Sequence, residues 1–396
     1  MGYKSENRAI YVDKEAISAL SQVQDGILYP VTGLMDSKTA KEVDNTKEYM
    51  DKTFPFSFIL APSGKRNEDI LKSAKKGEKL DIICNGKKYA EIINQELFSI
   101  DPLERVKMIY GTSDTSHPGV VRTFKRLGHY AICGKYHVEF DDIKNAKIKI
   151  ETAKNEIEAE HISALMIAAK PLHRAHERMI RLALDRSDLL VIFLLKPYTQ
   201  DIMSYELREK CLRFVVENYL PKNRVVIVPF ENNYLFAGNN EMILDAIAAQ
   251  NFGCNKLVTG QNHVGLGMFY DKNIMHSVFD TLKGINIEIE IMSEFVYCNI
   301  CRTLVSTTTC PHGQHHHISY HSGSILEILK QGLLPPAVLV RKEVSAAILS
   351  TLFPDRFRNL EKLYHDIVPI HGLLEQHNEE EFYMKLMDLY QTTSLT

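Results

Sequence analysis

The sequence predicts an α/β protein built on a parallel sheet, preceded by a β-rich region and followed by a small C-terminal α/β unit. Three observations carry that expectation. Between residues 163 and 292, apolar runs of buried-strand type alternate with helical patterns, the rhythm of βαβ units. Residues 1–150 instead mix short β-type runs with Gly, Pro and Asp turns. From residue 324 onward the pattern is mainly helical.

The 396 residues give room for two or three domains at roughly 150 residues each, expected at 1–150, 151–325 and 326–396. In the first region, 56–60 and 79–83 read as strands. Residues 147–151 (KIKIE) alternate charge and apolar character, as a half-buried strand would. A short apolar run at 163–169 is the next strand, followed by a helix over 174–184. Residues 189–195 form a buried-strand pattern, with a helix over 204–220. Residues 224–229 make a third strand before a helix at 241–250, and 256–259 and 285–292 complete the sheet. Parallel sheets bind ligands at the carboxyl ends of their strands, so the residues after 169, 229 and 259 are where chemistry is expected.

Composition narrows the function. The 47 Lys+Arg against 50 Asp+Glu give a net charge of -3 and a pI near 6.6. That balance argues against nucleic-acid and membrane-surface partners. Apolar residues at 45% and charged residues at 24% exclude disorder, collagen and coiled coil. The longest apolar run, 189–195, is far short of the ~20 residues of a membrane span. Residues 1–7 are polar, without a signal-type apolar stretch, and a cytoplasmic location is expected. Seven cysteines, an odd number, argue against a disulfide framework.

After the strand ending near 169 comes Lys170-Pro171-Leu172-His173-Arg174-Ala175-His176-Glu177. His173 and His176 share one face at a helix start. The free N–H groups and dipole there favour an anion such as a nucleotide triphosphate, with Lys170 adding charge. Alone, H-x-x-H fits a solvated helix face or one side of a metal site equally well. Gly260-Gln261-Asn262-His263 follows another strand, where it forms either a ligand-contacting loop or a capped turn.

The run Pro171 to Glu177 resembles the signature of ATP sulfurylases. Six further landmarks occur in the family's order: GILYPVTGLM at 26–35, YGTSD at 110–114 with HPGV at 117–120, YLFAGNNE at 234–241, GQNHVG at 260–265, Ser322-Gly323, and Leu334-Pro335-Pro336 with Arg341 and Glu343. The resemblance implies a PUA-like N-terminal domain, a Rossmann-like nucleotidyltransferase domain and a small C-terminal domain. It implies the reaction of ATP with sulfate to give adenylyl sulfate and diphosphate. His173, His176 and Lys170 would act on the phosphates, and Gly260, Gln261, Asn262 and His263 would bind the nucleotide. ATP with Mg2+, a small oxyanion or other small acceptor, and a homo-oligomer, expected as a dimer, complete the picture.

Against that pattern, the family's Gln-Thr-Arg-Asn falls on Ile167, Ala168, Ala169 and Lys170. Its Pro-Arg falls on Asn239 and Asn240, and its Arg-Asp on Gln261 and Asn262. Three arginines are lost, at Ala169, Asn240 and Gln261. Arg binds a dianion through a charged fork that neutral amides do not reproduce, at ~1.5–3 kcal/mol per contact. Three readings stay open: sulfate activation with reduced efficiency, transfer to a less anionic acceptor, or nucleotide binding without turnover.

Cys298-x2-Cys301-x8-Cys310, followed by His312, His315, His316 and His317, has zinc-ligand spacing. The fourth ligand is expected to be His315, with its neighbours as alternatives. A Cys3His site without an open position is structural, and the resemblance implies such a zinc. The remaining cysteines, Cys84, Cys133, Cys211 and Cys254, read as core thiols.

Overall fold

Two five-stranded sheets organise the larger part of the chain. A computed structural model describes residues 7–198, 202–238, 240–261, 282–367 and 378–391. By internal contacts the chain divides into one unit of 1–166, 187–198 and 226–292, and a second of 167–186, 199–225 and 293–396.

In the first unit, strand β1 (Ala9–Tyr11) leads through helix α1 (Lys14–Gln24) and helix α2 (Ser37–Thr46) to a small hairpin, β2 (Glu48–Tyr49) with β3 (Lys52–Thr53). Asp13 caps α1 by accepting from the Ala16 N–H at 2.9 Å. Strand β4 (Leu60–Pro62) precedes helix α3 (Lys65–Ser73), and then come the long strands β5 (Lys79–Cys84) and β6 (Lys87–Ser99). The turn between them is Asn85-Gly86, both at positive φ (48° and 76°), as a two-residue hairpin demands. Helices α4 (Pro102–Tyr110) and α5 (Pro118–Arg126) precede strand β7 (Leu127–Val138). The sheet order is β1-β5-β6-β7-β4, with β1 parallel to β5 and the β5–β6, β6–β7 and β4–β7 pairs antiparallel.

Helix α6 (Asp142–Glu156) leads into the second sheet, whose strands are β8 (Ile162–Ile167), β9 (Leu189–Pro197), β10 (Val225–Asn232), β11 (Lys256–Gly260) and β12 (Glu288–Met292). Their order, β10-β9-β8-β11-β12, is the nucleotide-binding arrangement expected of this class. Strand β11 runs parallel to both β8 and β12. Leu189–Leu195 is buried throughout, which explains why that segment reads as a continuous apolar run. Helix α9 (Asn240–Asn251) precedes β11. A buried amide network joins α1 to β10: Gln22 Nε2 donates to the Glu231 carbonyl and Asn233 Nδ2 to Gln22 Oε1, both at 2.8 Å.

Two sequence expectations change. KIKIE lies inside α6, whose buried residues Ile143, Ala146 and Ile150 follow a helical spacing, while Ile148 is 64% exposed. Five residues are too few to separate alternation from a helix face. The strand expected at 56–60 begins only at Leu60; Phe54, Phe56 and Phe58 are core residues, and the Met35 N–H bonds the Phe58 carbonyl outside any ladder.

The second unit holds helix α7 (Arg174–Leu184), helix α8 (Tyr205–Tyr219) and a three-stranded antiparallel sheet, β14-β13-β15, made from β13 (Phe295–Cys298), β14 (Thr303–Ser306) and β15 (His317–Ile318). Four helices follow: α10 (Ser322–Lys330), α11 (Lys342–Leu352), α12 (Leu360–Ile367) and α13 (Glu379–Gln391). Helix α11 packs against α8, α10 and α13 through Val344, Ala346, Ala347, Ile348 and Leu349. Among the described residues no helix is long and apolar enough to cross a membrane.

Candidate nucleotide site and metal knuckle

Strand β8 ends at Ile167, and residues 168–173 carry the chain to α7. Ala169 adopts φ +50° and is 1% exposed. The fully buried Arg208 of α8 donates from Nη1 to the Ala168 carbonyl at 2.6 Å and from Nε to the Met203 carbonyl at 3.3 Å. So the position where the family carries an arginine is buried backbone, held by a guanidinium from another element. Lys170 is half-buried in the same connection.

His173 is the N-cap of α7, and its backbone N–H donates to His176 Nδ1 at 3.3 Å. The two rings stack with centroids 3.8 Å apart. His173 Nε2 lies 3.0 Å from Ser322 Oγ, and the Tyr320 ring meets His173 edge-on at 5.4 Å. Its other ring nitrogen, Nδ1, is buried without a hydrogen-bond partner. Burial pushes His176 down to about 4. Burial, then the neighbouring His176 and His321, hold His173 well below the usual imidazole value. Both rings are therefore neutral near pH 7 and offer hydrogen bonds rather than charge.

The Arg and Glu of the signature are occupied elsewhere. Glu177 accepts two 2.8 Å bonds from Arg341, and Arg174 Nη1 approaches it at 3.5 Å. The Arg174 N–H donates to the Leu339 carbonyl at 2.8 Å, so this first-turn donor is not free for an anion as the sequence suggested. Arg341 stacks on Tyr219, 3.4 Å from the ring centroid. A cleft of about 320 Å³ beside α7 is lined by Arg174, Arg178, Arg181 and Arg341. Arg181 is committed to the last carbonyl of α8, at 2.8 Å from Tyr219 O.

Gly260 closes β11, and the exposed Gln261 donates its backbone N–H to the Met292 carbonyl at 3.2 Å. Asn262, His263 and Asn239 lie outside the described residues. Asn240 turns its amide to the carbonyls of Met108 and Ile109, at 3.1 and 2.8 Å. It does the work of a helix C-cap on α4.

A candidate metal knuckle brings together Cys298, Cys301, Cys310 and His312, whose donor atoms all lie within 4.8 Å of one another. His312 Nδ1 is 3.4, 3.3 and 3.5 Å from the three sulfurs in chain order, and Cys301 Sγ is 3.9 Å from Cys310 Sγ. A tetrahedral zinc with Zn–S about 2.3 Å and Zn–N about 2.0–2.1 Å requires edges of about 3.5 Å (S–N) and 3.8 Å (S–S). The donor set fits. Burial pushes the Cys298 thiol up, but N–H groups of Cys301 and Ile300 and the neighbouring thiols outweigh it and bring it to about 7.

Among the described residues the imidazole grouped with the three sulfurs is that of His312, where His315 was expected. The latter sits in the turn Gln314–His316, where its ring lies against Gly313 and within 4.0 Å of the His316 ring. Sequence reasoning also missed Arg208, Tyr320 and Ser322 as site-shaping residues. Arg208 had a readable signal, a charge on a face otherwise made of Leu207, Cys211, Leu212 and Val215.

Comparison with known proteins agrees with this architecture. An ATP-sulfurylase family model matches residues 141–351 and a PUA-like domain model matches 3–139. A sulfate adenylyltransferase of Halothermothrix orenii is 25% identical over 353 residues, 86% of this chain and 91% of that protein. Those of Carboxydothermus hydrogenoformans (29%, covering 67% and 72%) and Staphylothermus marinus (28%, covering 88% and 91%) are also similar. Among solved structures, a hexameric APS kinase from Thiobacillus denitrificans matches 87% of this chain with a TM-score of 0.63 at 16% identity, a likeness of fold; this chain spans 62% of that one. With the order of the parallel sheet, the signature helix after β8 and a family match over more than half its length, the chain belongs to the ATP-sulfurylase family.

Proposed function

We propose that the protein is a sulfate adenylyltransferase that binds sulfate weakly. The observation that carries this reading is the neutral, stacked pair His173 and His176 at the start of α7, within the segment that matches the family. In the proposed reaction a sulfate oxygen attacks the α-phosphorus of ATP in line. One P–O bond forms, the bond to the β-phosphate oxygen breaks, and diphosphate leaves with the electron pair. Positioning and hydrogen bonding supply the catalysis, and no covalent enzyme intermediate is required. His173 and His176 orient the phosphates as neutral partners, Lys170 supplies positive charge, and Mg2+ accompanies ATP. Gly260, Gln261, Asn262 and His263 are assigned to the nucleotide on the family resemblance. Cys298, Cys301, Cys310 and His312 would hold a zinc, which would supply a cross-link and no chemistry. The chain is assigned as a dimer, to be checked by sedimentation.

Weak acceptor binding follows from the sites of the absent arginines. Ala169 is buried and Asn240 bonds backbone carbonyls, so neither replaces a charged fork. The test is pyrophosphate release from MgATP with and without sulfate, followed by a panel of other small acceptors. Sulfate-dependent release with a sulfate KM far above the MgATP KM supports the reading. Measurable ATP binding with no release in sulfate overturns it, and release only with a neutral or mono-anionic acceptor assigns the enzyme to that acceptor instead.

A further inference from the structure

We propose that the Cys3His knuckle positions His173, through a short path that ends on Ser322. The inference rests on reading His173 as a nucleotide ligand. It concerns what holds that imidazole in place.

The path begins at Cys298, the last residue of β13 and one of the four donors. Directly opposite it on β15 is His317, and Ile318 faces Tyr297. The Asn299 N–H reaches the His316 carbonyl at 3.0 Å, closing the pairing on the knuckle side. Two residues beyond β15 the Tyr320 ring meets His173 edge-on, and Ser322 Oγ reaches His173 Nε2 at 3.0 Å. Ser322 is also the first residue of α10, so its hydroxyl is held between a two-residue strand and a helix start.

Such a strand has little to order it. From residue 293 to 320 only Val296 and Cys298 are buried, so the module has no apolar core. Two paired residues do not hold a register alone, and a metal is the usual remedy for a small domain lacking a core. Closing the four donors would tie residues 298, 301, 310 and 312 together and set where β15 lies. The place of Tyr320 and Ser322 follows from that, and with it the orientation of the His173 ring. Ser322 is thus a positioning residue.

The experiment uses the full chain with histidines labelled with nitrogen-15 and ring resonances assigned through His173→Gln and His176→Gln. Zinc content, the His173 ring signals and MgATP affinity are measured for the zinc-loaded protein, the chelator-stripped protein, Ser322→Ala and Ser322→Thr. Stripping is expected to shift and broaden the His173 signals and weaken MgATP binding about tenfold, roughly what one buried hydrogen bond contributes. Ser322→Ala should reproduce both changes with zinc content intact, and Ser322→Thr, which keeps the hydroxyl, should restore them. His173 signals that superimpose before and after stripping overturn the proposal. So does a Ser322→Ala protein indistinguishable from wild type, or a protein that takes up no zinc. If stripping unfolds the chain, Ser322→Ala alone decides. If the loaded wild type fails to bind MgATP, the proposed function falls while the ring signals still decide the coupling.

Discussion

Replacing Glu177 with glutamine tests whether the signature helix is held by the ion pair rather than by its ligand. The Glu177 and Arg341 side chains are 7% and 12% exposed, and both carboxylate oxygens take 2.8 Å bonds from the guanidinium. Glutamine keeps the shape but offers one acceptor and turns an NH2 toward Arg341, leaving that cation buried beside Arg174 without its counter-charge. Breaking a buried pair from one side costs about 3–5 kcal/mol. Arg341 keeps its stacking on Tyr219, so the lower figure, about 3 kcal/mol, is expected. For a cooperative unit of 150–250 residues that is a fall of roughly 6–12 °C in Tm. Calorimetry on the full chain reads it directly. The companion variant Glu177→Leu with Arg341→Met removes both charges and should recover most of the loss, because a well-packed apolar pair does not incur the desolvation penalty. A Glu177→Gln protein within about 0.5 kcal/mol of wild type, or a double variant no better than the single one, would refute the account.

Three further outcomes follow from the same geometry. Because His173 and His176 are depressed below the ordinary value of 6.5, the folded chain resists protons that the unfolded chain accepts; stability is complete above pH 6.5 and falls as pH drops toward about 4, and unfolding of wild type against His176→Gln should show a shallower slope in the variant. Metal analysis should find about one zinc per chain, lost in Cys301→Ser and His312→Ala and kept in His315→Ala; the reverse pattern for the two histidines would restore the fourth ligand expected from spacing. Putting back the family residue as Ala169→Arg should lower soluble yield and Tm instead of improving sulfate turnover, since the site is buried and left-handed, and a stable variant with a lower sulfate KM would contradict that.

What the sequence revealed and what it hid divide along one physical line. Local periodicity found β8, α7, β9, α8, β10, α9 and β11 with ends accurate to a few residues, because each buries a face whose pattern is written in consecutive residues. Alternation over five residues failed at KIKIE, where only the partners of Ile143, Ala146 and Ile150 reveal which way the chain turns. The cysteine spacing marked the knuckle, but choosing His312 over His315 depends on a turn that lays the latter against Gly313. Ser322 and Tyr320 were out of reach for a simpler reason: about 150 residues separate Ser322 from His173, and nothing local says that they meet.

The missing arginines gain a different meaning once their surroundings are visible. As sequence they are three absent charges, compatible with a site that is merely decaying. Two of the positions have instead taken on structural work. Ala169 lies buried beside the carbonyl that Arg208 holds, and Asn240 satisfies two carbonyls at the end of α4 that an arginine fork would have to leave or share. An unsatisfied buried carbonyl costs about 1–3 kcal/mol, so reverting Asn240 to arginine would trade backbone satisfaction for charge. The histidine pair also does local work, His176 Nδ1 accepting from the His173 N–H and His173 Nε2 meeting Ser322, while the two rings stay stacked. Structural demands on the backbone at Ala169 and Asn240 are independent of any change in ligand, so the proposed weakening of acceptor binding makes the acceptor the variable to measure first.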